Sequence, residues 1–295
     1  MSVAAVVVTF MPDLTELHMA LLETAAQVSM VFVVDNGSKN ELLSKMLYED
    51  NQLNHIELIE LSENQGIAAA QNIGIKEARA RQATHVLLMD QDSMPADNMV
   101  YQLLQALERL PNAAAVGPVY LSKHQNEASV FTRVEGFRRI KVSCDEDHPL
   151  VQTDALIASG CLIPMSVIDV VGNMRSDLFI DYVDTEWGLR AQTMGYASYA
   201  VWSAKMSHQL GSRAIEFMGR NMIVHSPLRR YYQYRNAILL YKMKHIPFNW
   251  KLIDASRLFL RAGFYALTNQ PRALNVKMML KGLWHGMLGK TGKML

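Results

Sequence analysis

The 295-residue chain contains only two cysteines, Cys144 and Cys161. Two thiols cannot build a disulfide framework or a four-cysteine zinc site, and they fit a reducing compartment. No uncharged run of about 18 apolar residues occurs, so no transmembrane helix is expected. The start, MSVAAVVVTFMPD, has no basic segment ahead of its apolar run and reads as a first strand rather than a signal peptide. Internal repeats and low-complexity segments are absent. No Gly-x-Gly-x-x-Gly follows the first strand, which argues against a dinucleotide-dependent oxidoreductase. Acidic residues nearly vanish from the last third: residues 201–295 hold 16 Lys and Arg but only Glu216 and Asp254, whereas residues 1–200 hold 13 Lys and Arg and 26 acids. The net charge of +1 hides this division. Such a basic end predicts attraction to an anionic membrane surface or to the chain's own acidic body; nucleic acid is not expected.

Half of the residues are apolar, enough for one large domain. VAAVVVTF (3–10) is a continuous β-branched run, as expected of a parallel strand covered on both faces. A helical spacing of leucines follows over 13–28, then the strand MVFVVDNGS (30–38), a helix over 40–50 and a short strand IELIEL (56–61). SENQGIAAAQNIGIKEARA (62–80) is a polar loop running into an Ala-rich helix, and HVLLMD (85–90) is a fourth strand. This alternation predicts a doubly wound α/β sheet. Residues 119–165 read as irregular strands and loops, 184–196 as a helix and 197–203 as a strand. From Arg229 onward the pattern is helical and basic. The expected division is a catalytic unit over 1–228, with halves 1–118 and 119–228, and a basic amphipathic helical region over 229–295.

Ligands of open parallel sheets sit beyond the carboxyl ends of the strands. Three such ends are polar here: Thr9-Phe10, Asp35-Asn36-Gly37-Ser38 and Asp90-Gln91-Asp92. Asp35 could accept hydrogen bonds from a base or ribose, or simply close a turn with Asn36-Gly37. Asn64, Gly66 and Asn72 flank a helix start, where backbone amides favour an anion or receive an ordinary cap. Asp90 and Asp92 alternate along an extended segment, so both carboxylates can reach one Mg²⁺ or Mn²⁺. An acidic turn is the plainer alternative, and a phosphatase with Asp90 as nucleophile is a third. The phosphatase pattern wants Thr or Val four residues after its first Asp, where this chain has Met94. Asp181, Asp184 and Glu186 form a second acidic cluster, able to supply a general base or to serve a helix N-terminus. His208 is a lone histidine that becomes a ligand only if the fold brings it to the aspartates.

Taken together, VVVTF, VFVVDNGS, ENQGIAAAQNIGI, HVLLMDQDS, GCLIP, FIDYVDTEWGLRA and the His208–Gly211 pair resemble the inverting family-2 glycosyltransferases of the GT-A fold, and more narrowly bacterial rhamnosyltransferases. The resemblance covers roughly residues 1–240 and rests on the order and spacing of several motifs. It implies a Rossmann-like mixed sheet and a transferase moving a sugar, L-rhamnose from dTDP-β-L-rhamnose or a sugar from a UDP donor, onto a glycan hydroxyl. By position, Thr9, Phe10, Asp35, Asn36, Asn64, Gly66, Asn72, Asp90 and Gln91 match the nucleotide-sugar contacts. Asp92, Asp90 and His208 match the metal ligands of a DXD-type site, and Asp184 matches the catalytic base. The family often has an acid just before that base; this chain has Val183, which leaves Asp181 as the alternative.

The resemblance also implies an acceptor glycan carried on a polyprenyl-diphosphate lipid. That suits the basic end. In residues 251–267, Lys251, Asp254, Arg257 and Arg261 form a polar stripe beside Leu252, Ile253, Leu258, Phe259 and Phe264. In 276–288, Lys277, Lys281 and His285 recur at helical spacing beside Met278, Met279, Leu283 and Trp284. These read as interfacial helices on the inner face of a bacterial inner membrane, or as helices packed on the body or in a homodimer.

Overall fold

Every residue of the strand Val3–Thr9 (β1) is buried, and its side chains alternate between two cores. Ala4, Val6 and Val8 enter one, and Val3, Ala5 and Val7 the other. That is the consequence of a β-branched run covered on both faces. The structure, a computed structural model, describes residues 1–53, 55–122, 129–208, 214–217, 220–223, 226–268 and 270–294.

The first half alternates as expected: α1 (Leu14–Ala25), β2 (Met30–Asp35), α2 (Glu41–Glu49), β3 (Ile56–Glu60), α3 (Ile67–Ala80), β4 (His85–Asp90), β5 (Ser93–Pro95), α4 (Met99–Arg109) and β6 (Ala113–Ser122). The second half is more varied. It contains β7 (Val130–Glu135), β8 (Arg138–Ser143), β9 (Leu150–Thr153), β10 (Cys161–Pro164), α5 (Met165–Val171), α6 (Val183–Thr193) and β11 (Ala197–His208). Then come β12 (Ala214–Phe217), β13 (Arg220–Ile223), α7 (Pro227–Lys242), α8 (Phe248–Thr268) and α9 (Arg272–Met287). Local chemistry sets several helix starts. Asp13 accepts from the amides of Thr15 and Glu16 ahead of α1, and Ser226 caps α7 with Pro227 in the first turn.

The main sheet runs β3-β2-β1-β4-β10-β6-β11-β5, with β9 paired to β11. β3, β2, β1 and β4 are mutually parallel. β10 lies antiparallel between β4 and β6, making the sheet mixed. The register pairs Thr9 with Asp35 and Val8 with Asp90, so the three polar strand ends arrive side by side. α1 and α4 cover one face through Leu17, Leu21, Val100 and Leu103. α3 and α6 cover the other through Ala68, Ile75, Trp187 and Leu189. The hairpin β7–β8 stands off the sheet.

The basic end packs on the body. α7, α8 and α9 share a small core of Tyr234, Ala237, Leu258, Tyr265 and Met279. Gly282 and Gly286 let α9 lie directly on α7: a Cβ at Gly282 would come 2.4 Å from the Tyr231 carbonyl, and one at Gly286 2.7 Å from that of Arg235. The last residues return to the body, where the Gly292 amide donates to the Asp177 carbonyl at 2.7 Å and Lys293 pairs with Glu63 at 2.9 Å. The two expected basic stripes are turned partly inward. Asp254, Arg257 and Arg261 of α8 line a cavity of the protein, while Leu252, Phe259 and Leu260 face solvent. His285 of α9 bonds to the Tyr231 hydroxyl at 2.8 Å instead of joining Lys277 on the surface. Among the described residues no helix is long and apolar enough to cross a membrane.

Candidate active site

A cavity of about 500 Å³ opens at the carboxyl ends of β1, β2 and β4. Thr9, Phe10, Asn36, Asn64, Gly66, Asp90, Gln91, Asp92, Asp181, Asp184 and Arg229 all line it. One wall is a network of short polar links. The Thr9 hydroxyl donates to Asp35 at 2.9 Å, and the Asp35 carboxylate also accepts from the Ser38 amide at 2.8 Å. The Asn36 side chain donates to Asn64 Oδ1 at 3.2 Å and accepts from the Gln65 amide at 2.8 Å. Asn64 Oδ1 accepts from the Gly66 amide at 2.9 Å. Gly66 has φ +90°, and a Cβ there would meet the Phe179 carbonyl oxygen at 2.5 Å, so only glycine fits where α3 begins. Across β1 and β4, the Phe10 amide donates to Gln91 Oε1 at 2.7 Å.

Asp90 ends β4, and Asp92 follows in the turn into β5. The Ser159 hydroxyl accepts from the Asp90 amide at 3.3 Å and donates to Ser93 Oγ at 2.6 Å, which fixes this turn. Two carboxylates lining one cavity are hard oxygen donors suited to Mg²⁺ or Mn²⁺. The charge of Asp90 is already felt by Asp184, as described below, so the residues present fit a dication. Among the described residues no group of three or more His, Cys, Asp and Glu is assembled around a metal position. The backbone of His208 pairs with that of Ser93, next to Asp92. Its side chain lies outside the described residues.

The opposite wall is the segment Phe179–Asp184. Phe179, Asp181 and Tyr182 have φ of 67°, 63° and 64°, three non-glycine residues in the left-handed region within four positions. Such conformations cost of order 1–3 kcal/mol each and persist only where the surroundings enforce them. Here α7 enforces them. The fully buried Asn236 amide donates to the carbonyls of Leu178, Ile180 and Asp181 at 2.9, 2.7 and 3.0 Å, and Arg235 donates to that of Leu178 at 2.8 Å. This clamp presents both candidate bases. Asp181 is paired with Arg229, whose Nε lies 3.2 Å from each carboxylate oxygen; burial nonetheless holds its carboxyl above the ordinary range. Asp184 accepts from the Ala158 amide at 3.1 Å, and its carboxyl is pushed up to about 7, first by burial and then by the charge of Asp90.

Three sequence expectations need correction. Glu186 does not reach the cleft. It is fully buried on the other side of α6, held by a bidentate pair with Arg190 at 3.0 Å and by His245 at 2.8 Å. Asn72 is a strut: its side-chain nitrogen donates to the Met174 carbonyl at 2.8 Å and its oxygen accepts from the Met174 amide at 3.0 Å, so both ends of the amide serve that loop. Asp35 stands behind Thr9 rather than in the lining, 2% exposed. Sequence reasoning missed Arg229, Arg235 and Asn236. All three sit in α7, and no local motif marks them.

Comparison with known proteins agrees with this geometry. Residues 6–164 match the family described as Glycosyl transferase family 2. Over 293 residues the chain is 31% identical to the dTDP-rhamnosyl transferase RfbF of Shigella flexneri, covering 99% of this chain and 97% of that protein. The fold is shared with GalNAc-T7 crystallised with UDP, GalNAc and Mn²⁺: TM-score 0.65, 13% identity, 97% of this chain and 56% of that one, so this chain spans just over half of its length. It is also shared with residues 1–349 of Staphylococcus aureus TarS: TM-score 0.62, 13% identity, 97% of this chain and 81% of that one. The chain therefore belongs to glycosyltransferase family 2, with the GT-A fold. It is a glycosyltransferase, and the phosphatase alternative falls away.

Proposed function

We propose that the enzyme transfers L-rhamnose from dTDP-β-L-rhamnose to a hydroxyl of a glycan acceptor, with inversion at the anomeric carbon. The choice of donor draws on the relative over nearly its whole length that is named a dTDP-rhamnosyl transferase. The observation carrying the mechanism is that Asp184 shares one cavity with Thr9, Asp90 and Asp92 and has its carboxyl pushed up to about 7. A base of that pKa accepts a proton efficiently near neutral pH. Asp184 takes the proton of the acceptor hydroxyl while the hydroxyl attacks the face opposite the departing nucleotide. Direct displacement inverts the configuration and needs no second carboxylate. Thr9, Asn36 and the Asn64–Gly66 turn hold the nucleoside. Asp92 and Asp90, with His208, would hold Mg²⁺ or Mn²⁺, which stabilises negative charge on a leaving diphosphate. Arg229 pairs with Asp181 and positions it, rather than leaving it as the base.

The acceptor in this reading is a lipid-linked glycan at a membrane surface, reached by the outer side of α8 and α9, where Phe259 is 79% and Trp284 57% exposed. Thermal-shift titration with dTDP-rhamnose, dTDP-glucose and UDP-sugars in Mn²⁺ tests the donor. Stabilisation by the dTDP-sugars over the UDP-sugars is expected; preference for a UDP-sugar overturns the assignment.

A further inference from the structure

A second cavity, about 270 Å³, lies behind the wall that carries the acidic segment, and Asp181 and Tyr182 line both. Its far side is made by β7–β8 and α8, elements that take no part in the donor cleft. Three guanidinium groups converge there: Arg139 from β8, and Arg257 and Arg261 from α8. The acids nearby already have other donors. Asp254 Oδ2 accepts from the hydroxyls of Tyr182 and Tyr241 at 2.8 and 2.7 Å, Asp154 accepts from the Val134 amide at 2.8 Å, and Asp181 belongs to Arg229. Arg139 donates to the Thr132 hydroxyl at 2.9 Å. Among the described residues, Arg257 and Arg261 make no hydrogen bond or ion pair. The groups are close enough to oppose one another's charge. The Arg139 pKa is pushed down to about 10, first by partial burial and then by Arg257 and Arg261.

The three arginines repel one another here, an effect that Asp154 and Asp254 offset only in part, and a bound oxyanion relieves what is left. Guanidinium forks match the geometry of phosphate oxygens. We infer that this cavity is the acceptor subsite and that Arg139, Arg257 and Arg261 bind a phosphate or diphosphate group carried by the acceptor. The inference rests on the transferase reading, because it needs a hydroxyl delivered to Asp184. The segment that carries the base borders the second cavity: Asp181 and Tyr182 line both cavities and Thr185, next to Asp184, lines the second, so an acceptor anchored there lies against that segment. The volume is near the roughly 300 Å³ lower bound of small-molecule sites, enough for the anionic group and an adjoining sugar rather than a whole lipid. The supporting carboxylate of Asp254 ties the subsite to the catalytic segment, since the same oxygen holds Tyr182.

The test is calorimetric titration of the full-length protein, in metal-free buffer with EDTA, with inorganic pyrophosphate and with farnesyl diphosphate. Without a dication the carboxylates of the donor cleft repel a diphosphate. Wild-type protein is expected to bind both probes. The double variant Arg257→Gln/Arg261→Gln, and separately Arg139→Gln from the other wall, should weaken binding at least tenfold, with far-UV circular dichroism verifying the fold of each. Tighter binding of farnesyl diphosphate marks a lipid-linked acceptor; equal affinity marks a soluble phosphorylated one. Unchanged affinity in the variants, or no binding by the wild type, overturns the subsite. A wild-type protein that is not stabilised by any nucleotide-sugar overturns the transferase reading itself, a failure seen without the arginine variants.

Discussion

Arg229 holds Asp181 by both oxygens, its Nε 3.2 Å from each, whereas the carboxylate of Asp184, three residues on, takes one amide hydrogen bond from Ala158. An acid paired with a guanidinium is a poor proton acceptor, and an acid lifted toward neutrality is a good one. Asp184→Asn is therefore expected to lower the transfer rate by about 10²–10⁴-fold, the usual worth of a general base. Donor binding should be retained. Asp181→Asn should cost far less in rate. Single-turnover transfer together with donor titration separates the two; the reverse ranking would make Asp181 the base.

The raised carboxyl of Asp184 also sets a pH dependence. Transfer requires its ionised form, so the rate should climb as pH rises through about 7 and then level. Asp90→Asn removes one of the three causes, the others being burial and the charge of Asp181, and should move the midpoint to lower pH. Stability runs the other way. Between about 3.9, the unfolded value, and about 7, the folded chain keeps a proton that the unfolded chain releases. The unfolded state binds fewer protons there, so this group's contribution falls as pH rises across that window. Asp184→Asn should lack that loss, and its melting temperature should exceed that of the wild type at pH 8 but not at pH 4. Equal differences at both values would contradict the assignment.

Asn236 touches no substrate in this account, yet it clamps three carbonyls of the segment that carries both acids. Asn236→Leu leaves these buried acceptors without their donor, at about 1–3 kcal/mol for each one that finds no other. The expected result is a melting temperature lower by several degrees and a fall in the transfer rate. Nucleotide affinity should change less than rate. An unaltered rate would show that the strained backbone holds itself.

On the outer side of α8 and α9, Phe259, Leu260 and Trp284 are exposed. Phe259→Ser/Leu260→Ser/Trp284→Ser should weaken flotation with anionic liposomes several-fold while leaving the melting temperature within a degree or two. Size-exclusion chromatography of the same variant distinguishes a dimer surface: loss of a dimer with unchanged flotation would reassign the patch.

The residues legible in the sequence were those whose place follows from local pattern. Thr9, Asp35 and Asp90 could be read because a parallel strand is a contiguous apolar run and its carboxyl end is visible where the run stops. β10 could not, because four residues, Cys161–Pro164, carry no signal for lying antiparallel between β4 and β6. Arg229 and Asn236 reach the cleft from a helix distant in sequence, so only tertiary packing reveals them. Glu186 was within reach of the rules. It lies two residues beyond Asp184 on one helix, and residues at that spacing point about 200° apart, so both could not face the same cleft. That Arg257 and Arg261 line a cavity was hidden because amphipathicity identifies two faces without saying which one meets the protein.

The most direct test of the central claim is the stereochemistry of donor consumption. Wild-type protein is incubated with dTDP-β-L-rhamnose and Mn²⁺, and the first sugar released to water is followed by proton NMR before mutarotation. The account predicts dTDP release with α-L-rhamnose appearing first, and its loss in Asp184→Asn. First appearance of β-L-rhamnose, or unchanged release by Asp184→Asn, would contradict it.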